Sequence, residues 1–277
     1  MPQHLGKNML FKSFLWLYGI VSLYPILYML FYSLKNNDEI FFSNPLGIPL
    51  HFRFENYTKA VSAFNVVELF KNSVIVSVIS IAFILILSLG FAYATARITW
   101  RFRGVAYTYL MLGLFIPVQV IMIPLAILVK DIGFANTYFS LIVPYTAFNL
   151  AFSTLIFYGF FRTIPVEIEE SAYMDGASIY RTFAQIIVPL VKPSIATVTI
   201  FAFLNIWNEY PMALILVTNA HLKTLPTGLI SFVGQFSTDW GAMGAAMVLS
   251  SLPTILVYLL LSEQVEKALT VGSAVKG

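Results

Sequence analysis

Residues 162–193 read RTIPVEIEESAYMDGASIYRTFAQIIVPLVKP and separate two long apolar runs of the chain. The stretch is typical of two short helices joined at a turn. Pro165 suits a first helical position, where its missing N–H is not needed, and the glutamates that follow favour the positive end of a helix dipole. Asp175 and Gly176 are expected to end this helix, because glycine accepts the left-handed conformation that follows a helix cap.

The second short helix is predicted over residues 177–188, with four apolar side chains on one side. These four are Ile179, Phe183, Ile186 and Ile187. Such a connector can simply lie on a membrane surface. The glycine hinge and the small residues Ser171 and Ala172 instead favour a compact pair that docks into a groove of another protein and receives a push from it.

The composition around this stretch indicates a membrane protein. The 277 residues are 59% hydrophobic and only 10% charged, whereas a soluble domain carries about a quarter charged residues. A helix needs about 20 apolar residues to cross the hydrocarbon, and it satisfies its own backbone there. Six apolar runs meet this requirement, at 13–34, 72–96, 104–129, 132–161, 193–222 and 240–262. The sequence therefore predicts an all-α polytopic membrane protein with six transmembrane helices.

The basic residues indicate the orientation of these helices. With six spans both termini share a side, and placing that side in the cytoplasm puts 10 of the 16 Lys and Arg residues inside. The short loop with Arg97, Arg101 and Arg103 is the strongest single indication, since positive charge in short loops sets orientation. Both termini and residues 162–193 are thus expected to be cytoplasmic.

Several classes of protein find little support. The chain has no cysteine, and its basic residues are scattered rather than clustered for nucleic acid. The histidines His4, His51 and His221 lie far apart, so a membrane enzyme has no evident catalytic cluster. No G-x-x-x-x-G-K-[ST] loop is present to hold the phosphates of ATP. We therefore expect neither enzymatic activity nor a cofactor bound by this chain.

Residues 166–193 closely resemble the EAA loop of type I ABC importer permeases. The family pattern has E-A-A, three residues, G, nine residues and I-x-L-P, and this chain has Glu170-Ser171-Ala172, Gly176, Ile186 and Val188-Pro189 at those places. The resemblance implies the type I permease fold and a coupling loop, residues 165–189, that docks onto an ATPase subunit. The residues that the resemblance assigns to coupling are Glu169, Glu170, Ser171, Ala172, Asp175, Gly176, Ala177, Ile186 and Pro189.

A closer resemblance is to the carbohydrate branch of this family, and specifically to the maltose-type second permease. It rests on NIWNEYPMALILV at 205–217, TDWGAMGAAMVLSSLPTILVYLL at 238–260 and GSAVKG at 272–277. It implies a bacterial plasma-membrane importer of a sugar or oligosaccharide, with a second, homologous permease and an external solute-binding protein. Two further ATPase subunits would bind ATP and Mg. Residues 1–70 then form the N-terminal tail, first span and outer loop, 71–262 the transport core, and 263–277 a cytoplasmic tail.

The substrate path has three candidate residues in the fifth run. Glu209 is the one formal charge there, and an ionisable group inside a membrane segment is a candidate functional site. It can equally be a solvated residue at the interface beside Trp207. Asn205 and Asn208 can bind sugar hydroxyls or a neighbouring helix. Permeases for a polyamine or a peptide remain alternatives, as does an ion-coupled secondary transporter, which would want more buried charges than Glu209 alone.

Overall fold

The computed structural model describes residues 3–63, 65–233 and 238–274, and most of these residues are helical. Four helices are long and apolar enough to cross a membrane: α1 (Gln3–Ser33), α3 (Val66–Ala96), α6 (Phe139–Thr163) and α13 (Trp240–Ala274). The short α2 (Glu55–Ala63) precedes α3. The four long helices correspond to the first, second, fourth and sixth predicted spans.

The third predicted span is broken in two. Helix α4 (Arg103–Leu112), extended by a 3₁₀ turn to Phe115, meets α5 (Val118–Asp131) at an angle of 104°. Ile116 between them has φ −86° and ψ 112°. The cause is Pro117, because a residue before proline is pushed out of the helical region into extended conformations.

The fifth predicted span is also interrupted. Helix α10 (Lys192–Trp207) ends after 16 residues, and α11 (Pro211–Leu216) resumes beyond a short break. At its other end α10 meets the preceding helical segment, Ile179–Leu190, at 75°. Six spans are reached when α4 with α5 counts as one span and Ile179–Leu190 with α10 as another. The number agrees with the prediction, but the predicted fifth run, 193–222, excludes Ile179–Leu190 and is itself broken between α10 and α11.

The connection between α6 and α10 contains the predicted pair of short helices. Helix α7 (Glu167–Met174) is followed by a segment built from α8 (Ile179–Thr182), a π-helical turn (Phe183–Ile187) and α9 (Val188–Leu190). Helix α7 begins two residues after Pro165, so that proline precedes the helix instead of starting it. The remaining short helix is α12 (Leu225–Gly228).

The described chain forms two compact units. One consists of Glu68–Thr227 together with the chain from Pro253 onward, and its core is made where α6 packs against α10. Phe157 and Val198 are buried there. The other unit joins the chain up to Val67 with Gly228–Leu252. Within it, Gly241 lies against the backbone carbonyl of Lys35, where a Cβ atom would stand only 2.3 Å from that oxygen.

The predicted cytoplasmic tail continues the last helix. Helix α13 runs to Ala274, so the first twelve residues of the 263–277 tail are helical. Residues 275–277, which end the GSAVKG stretch, lie outside the described residues.

Candidate functional site: the two-helix loop and a polar cavity

The turn between α7 and α8 has the geometry that the sequence predicts. Gly176 has φ 79°, in the left-handed region. Its N–H donates to the carbonyl of Tyr173 at 3.0 Å, and the N–H of Ala177 donates to the carbonyl of Ala172 at 2.9 Å. These two bonds are the Schellman motif that closes a helix on a left-handed residue. The turn is therefore a fixed corner rather than a loose linker.

A buried ion pair fixes α7 to the rest of its unit. Arg97, at the end of α3, donates from Nε to Glu169 Oε1 at 2.9 Å, and both side chains are about nine-tenths buried. The guanidinium also donates to the carbonyls of Phe161 and Ile164, at 3.4 and 3.0 Å. One side chain thus joins three elements: the end of α3, the end of α6 and the first turn of α7.

Aromatic packing fixes the second half of the loop in the same way. The ring of Phe183 lies 4.8 Å from that of Tyr93 on α3, and Ile187 is fully buried. Ile179, predicted on this apolar side, is more than a third exposed. The π-helical turn at Phe183–Ile187 adds a residue to that turn and shifts the register of the helix, so a regular helical spacing misplaces Ile179.

The predicted coupling residues therefore fall on two sides of the loop. Glu169 and Ala172 are buried against the chain itself, while Ala177 and Ile186 are half-buried. The exposed ones are Glu170, Ser171, Asp175, Gly176 and Pro189. Met174 and Tyr180, which the sequence does not single out, are 88% and 83% exposed and add apolar area to this surface.

The second candidate site lies at the break between α10 and α11, and Glu209 organises it. The backbone N–H groups of Met212 and Ala213 donate to its carboxylate at 2.7 and 3.0 Å. The hydroxyl of Tyr145, a buried residue of α6, donates to Oε2 at 2.6 Å. Glu209 is half-buried and accepts these three hydrogen bonds, and its role in a substrate path stays a prediction.

A cavity of about 260 Å³ adjoins this carboxylate, and we call it the polar cavity after the four polar side chains in its wall, Tyr145, Asn149, Asn205 and Glu209. The rest of its wall is apolar and consists of Phe148, Ile206, Met212 and Val118, which lies at the break before α5. The amide of Asn205 donates to Asn149 Oδ1 at 3.4 Å. Two interrupted helices thus meet at a cavity whose walls carry amide and carboxylate groups, which is how broken membrane helices commonly form transport sites.

Asn208 does not take part in this cavity. Its amide donates to the carbonyl of Leu204 in its own helix at 2.8 Å. The structure therefore brings together Asn205 and Glu209 of the three candidates. Tyr145 and Asn149 join them from α6, where nothing in the sequence distinguishes them from other polar residues of an apolar run.

Comparison with known proteins gives the class to which this fold and loop belong. Residues 84–271 match the model of the binding-protein-dependent transport system inner membrane component family. The chain belongs to this family of permeases, and it is a membrane-spanning transport component rather than an enzyme. Membership implies an ATPase, a solute-binding protein and a second permease as partners in general terms.

Individual relatives cover nearly the whole chain. The diacetylchitobiose uptake system permease protein NgcG of Streptomyces coelicolor is 34% identical over 93% of this chain and 85% of its own length. The trehalose/maltose transport system permease protein MalG of Thermococcus litoralis is 32% identical over 94% of each chain. A crystal structure of a bacterial ABC transporter involved in import of the acidic polysaccharide alginate contains a chain with the same fold, at a TM-score of 0.83. That chain is 22% identical, and the match covers 95% of this chain and 98% of the other.

Proposed function

We propose that this chain is the permease subunit of an ATP-driven importer for a sugar or oligosaccharide, and that it couples to its motor through residues 165–189. The observation that carries the proposal is the construction of the two-helix loop. Arg97 and Phe183 fix one side of the loop to α3 and its neighbours, while the other side exposes Met174, Glu170 and Tyr180. A rigid projection with an exposed tip can transmit a displacement from a docked partner to the membrane helices.

A carbohydrate substrate is supported by the relatives and by the cavity. The relatives are named for uptake of diacetylchitobiose and of trehalose and maltose. The cavity at the α10–α11 break offers the amides of Asn149 and Asn205, which can both donate to and accept from sugar hydroxyls. Glu209 then acts mainly by holding the start of α11 in place, and its remaining lone pairs face the path.

The partners of the complex follow from this role. Two ATPase subunits would dock on this chain and on a second, homologous permease, and they would bind ATP and Mg. This chain would need no cofactor of its own. An external solute-binding protein would deliver the sugar, and the two permeases would form the path between them. Closure of the ATPase subunits would then switch the helix bundle between its two states of access.

Other cargoes and other energy sources have less support. A polyamine carrier would want carboxylates free to bind its cations, whereas the Glu209 carboxylate accepts from Tyr145 and from two backbone N–H groups. An ion-coupled carrier would want a relay of ionisable groups. Glu209 is the one carboxylate that borders the polar cavity. A peptide carrier is the alternative most compatible with the cavity, since amides also bind peptide groups.

Single cysteines test the coupling role directly, because the chain has none of its own. Met174→Cys places a thiol at the exposed tip of the loop, and Asp38→Cys is the matched control at an exposed position in the other compact unit. We expect a short bifunctional cross-linker to join position 174, and not position 38, to the ATPase subunit in the assembled importer. Equal cross-linking from both positions, or none from position 174, would contradict the proposed docking surface.

Substrate class is tested in proteoliposomes that hold the complete importer. With binding protein and ATP present, uptake of a panel of labelled oligosaccharides is measured beside a polyamine and an oligopeptide. The expected result is ATP-dependent uptake of an oligosaccharide alone. Uptake that persists without ATP but follows an ion gradient would replace the importer with a secondary transporter.

A further inference from the structure

The segment between α1 and α2 exposes an unusual amount of apolar surface. Phe42 is 80% exposed, Leu46 71% and Phe54 67%. Four more large side chains of the segment are at least half exposed, namely Phe41, Ile48, Leu50 and Phe52. Large apolar side chains that are exposed together commonly mark a surface that contacts a protein partner or a membrane. We refer to residues 36–54 as the apolar segment.

The apolar segment is folded around polar groups. Lys35 is 1% exposed and donates from Nζ to the carbonyls of Asn44 and Pro45, at 2.6 and 3.3 Å. Glu39 is 5% exposed, and the N–H of Leu50 donates to its Oε1 at 2.6 Å. Lys35 and Glu39 are thus turned inward, which is the reverse of the usual arrangement of a solvated loop. Asp38 and Arg53 lie near the two ends of the segment, so residues 40–50 between them carry no formal charge.

Hydrogen bonds hold the last residues of the segment beside the end of the first span. The apolar span of α1 ends at Ser33. The N–H of Arg53 donates to the carbonyl of Leu34 at 2.9 Å, and the amide of Asn56 donates to the carbonyls of Ser33 and Lys35, both at 2.9 Å. Phe52 and Phe54 flank Arg53, so they belong to the stretch of chain that returns to the end of this span.

A second contact joins the first part of the segment to the start of the last span. The ring of Phe41 lies edge-on to Trp240, with centroids 5.6 Å apart, and Trp240 begins the apolar span of α13. Tryptophan at the end of a span is typical of the membrane–water interface. Nearby, the amide of Asn37 donates to the carbonyl of Thr238 at 2.7 Å. The segment is therefore tied to the ends of two membrane spans.

We propose that the apolar segment lies in the membrane interface and is covered by lipid at the boundary between headgroups and acyl chains. Lipid is the occupant because the exposed surface of the segment continues that of α1, whose apolar window has no residue buried within the chain. The two ends of the segment, at Asp38 and Arg53, line a polar cleft of about 410 Å³ together with Lys59 and Asp239. This cleft is the part of the unit that faces water, so the unit has the two-sided character of interfacial elements.

Nitroxide labels on single cysteines measure how far the apolar segment is exposed to lipid and to water. The sample is the assembled importer in lipid nanodiscs, with partner subunits stripped of accessible cysteines. The labelled variants are Phe42→Cys and Leu46→Cys, and Asp38→Cys in the polar cleft is the matched control. Power saturation compares the access of oxygen, which partitions into lipid, with that of a nickel chelate, which stays in water. We expect the oxygen-to-nickel ratio at positions 42 and 46 to exceed that at position 38 several-fold.

Two other results would overturn the proposal. Nickel access at positions 42 and 46 equal to that at position 38 would mean that the segment faces water. Exclusion of both reagents would mean that a protein partner, the second permease or the binding protein, covers it. A phospholipid with a photoreactive group near its ester bonds repeats the test on the unsubstituted chain. Adducts within residues 41–54 are expected, and their absence under conditions that label α1 would also contradict lipid contact.

Discussion

Gly176 is the residue whose conformation gives the most direct test of the proposed coupling. Its φ of 79° suits glycine, and nothing lies within 4 Å of where a Cβ would stand. A side chain there would therefore act through backbone strain and not through a clash. A β-branched residue in this conformation costs about 1–3 kcal/mol, which is enough to open the Schellman corner between α7 and α8.

The resulting prediction concerns coupling. Gly176→Val is expected to leave membrane insertion intact while ATP hydrolysis continues with greatly reduced sugar uptake, because the loop no longer transmits the motor's movement. Both rates are measured in proteoliposomes. Gly176→Asn is the matched control, since asparagine tolerates the left-handed region, and it should retain most of the coupling. Normal uptake in the valine variant would contradict the hinge role.

Arg97 permits a second prediction at this scale. Arg97→Gln leaves the Glu169 carboxylate buried without its partner, and losing one member of a buried pair costs about 3–5 kcal/mol. We expect the loop to become sensitive to limited proteolysis and the ATPase to lose its stimulation by binding protein. Arg101→Gln removes an exposed guanidinium that lies over the ring of Phe102 and should change little.

A double variant separates the ion pair from general damage. In Arg97→Gln/Glu169→Gln the buried charge is gone, so part of the proteolytic resistance should return, and the coupling energy between the two sites is read from the cycle. Strictly additive losses would show that Arg97 acts only through the carbonyls of Phe161 and Ile164.

The residues that could be predicted from the sequence are those whose role is local. The left-handed Gly176 follows from a helix, a cap and a glycine within a few positions. Arg97 was predicted only as a positive charge that sets orientation, because its partner Glu169 lies 72 residues away. Tyr145 and Glu209 are 64 residues apart. One-dimensional spacing carries no information about such pairs, and only the packing of α3, α6 and α10 creates them.

At the scale of elements, the break between α10 and α11 is held by side chains as well as by Pro211. Tyr145→Phe removes a hydrogen bond to a charged group, worth about 1.5–3 kcal/mol, and Glu209→Ala removes both acceptors of the first α11 N–H groups. We expect each variant to weaken sugar uptake, with Glu209→Ala the more severe, while the affinity of the complex for ATP is unchanged.

Asn208→Ala is the control for this element, since the Asn208 amide donates to the backbone of its own helix and the residue is not among those that line the cavity. It should transport nearly as the unsubstituted chain does. A loss of uptake in Asn208→Ala as large as in Glu209→Ala would mean that any change at the break impairs transport. That result would contradict a specific role for the residues that line the cavity.

The apolar segment gives a prediction for the element that follows α1. Lys35→Met removes the donor to the carbonyls of Asn44 and Pro45 and should destabilise the local fold by about 1 kcal/mol. We therefore expect a narrower nitroxide spectrum at position 46, because the label there becomes more mobile. Lys59→Met breaks only an exposed pair with Asp239, which contributes little, and should leave the spectrum as it was. Equal spectra for both variants would mean that Lys35 does not hold the segment.

For the molecule as a whole, composition predicts the spans because lipid imposes its requirement on every segment separately. The four long helices appear where the apolar runs are, and two runs are broken where Pro117 and the 208–210 stretch interrupt them. The number of spans could therefore be read from the sequence, whereas the angle of 104° at Pro117 could not, and neither could the angle of 75° at which Ile179–Leu190 meets α10. Apolarity specifies burial in lipid but does not specify the direction of a chain after a proline.

Orientation is the property of the whole molecule that charge alone decides. With 10 of 16 basic residues assigned to the side of the termini, positive-inside bias predicts that the two-helix loop is cytoplasmic. A membrane-impermeant thiol reagent added to intact cells is expected to label Asp38→Cys and to leave Met174→Cys unlabelled until the membrane is permeabilised. Labelling of position 174 in intact cells would invert the topology, and an external loop could not reach a cytoplasmic ATPase, so the same measurement also decides whether the loop can act in coupling.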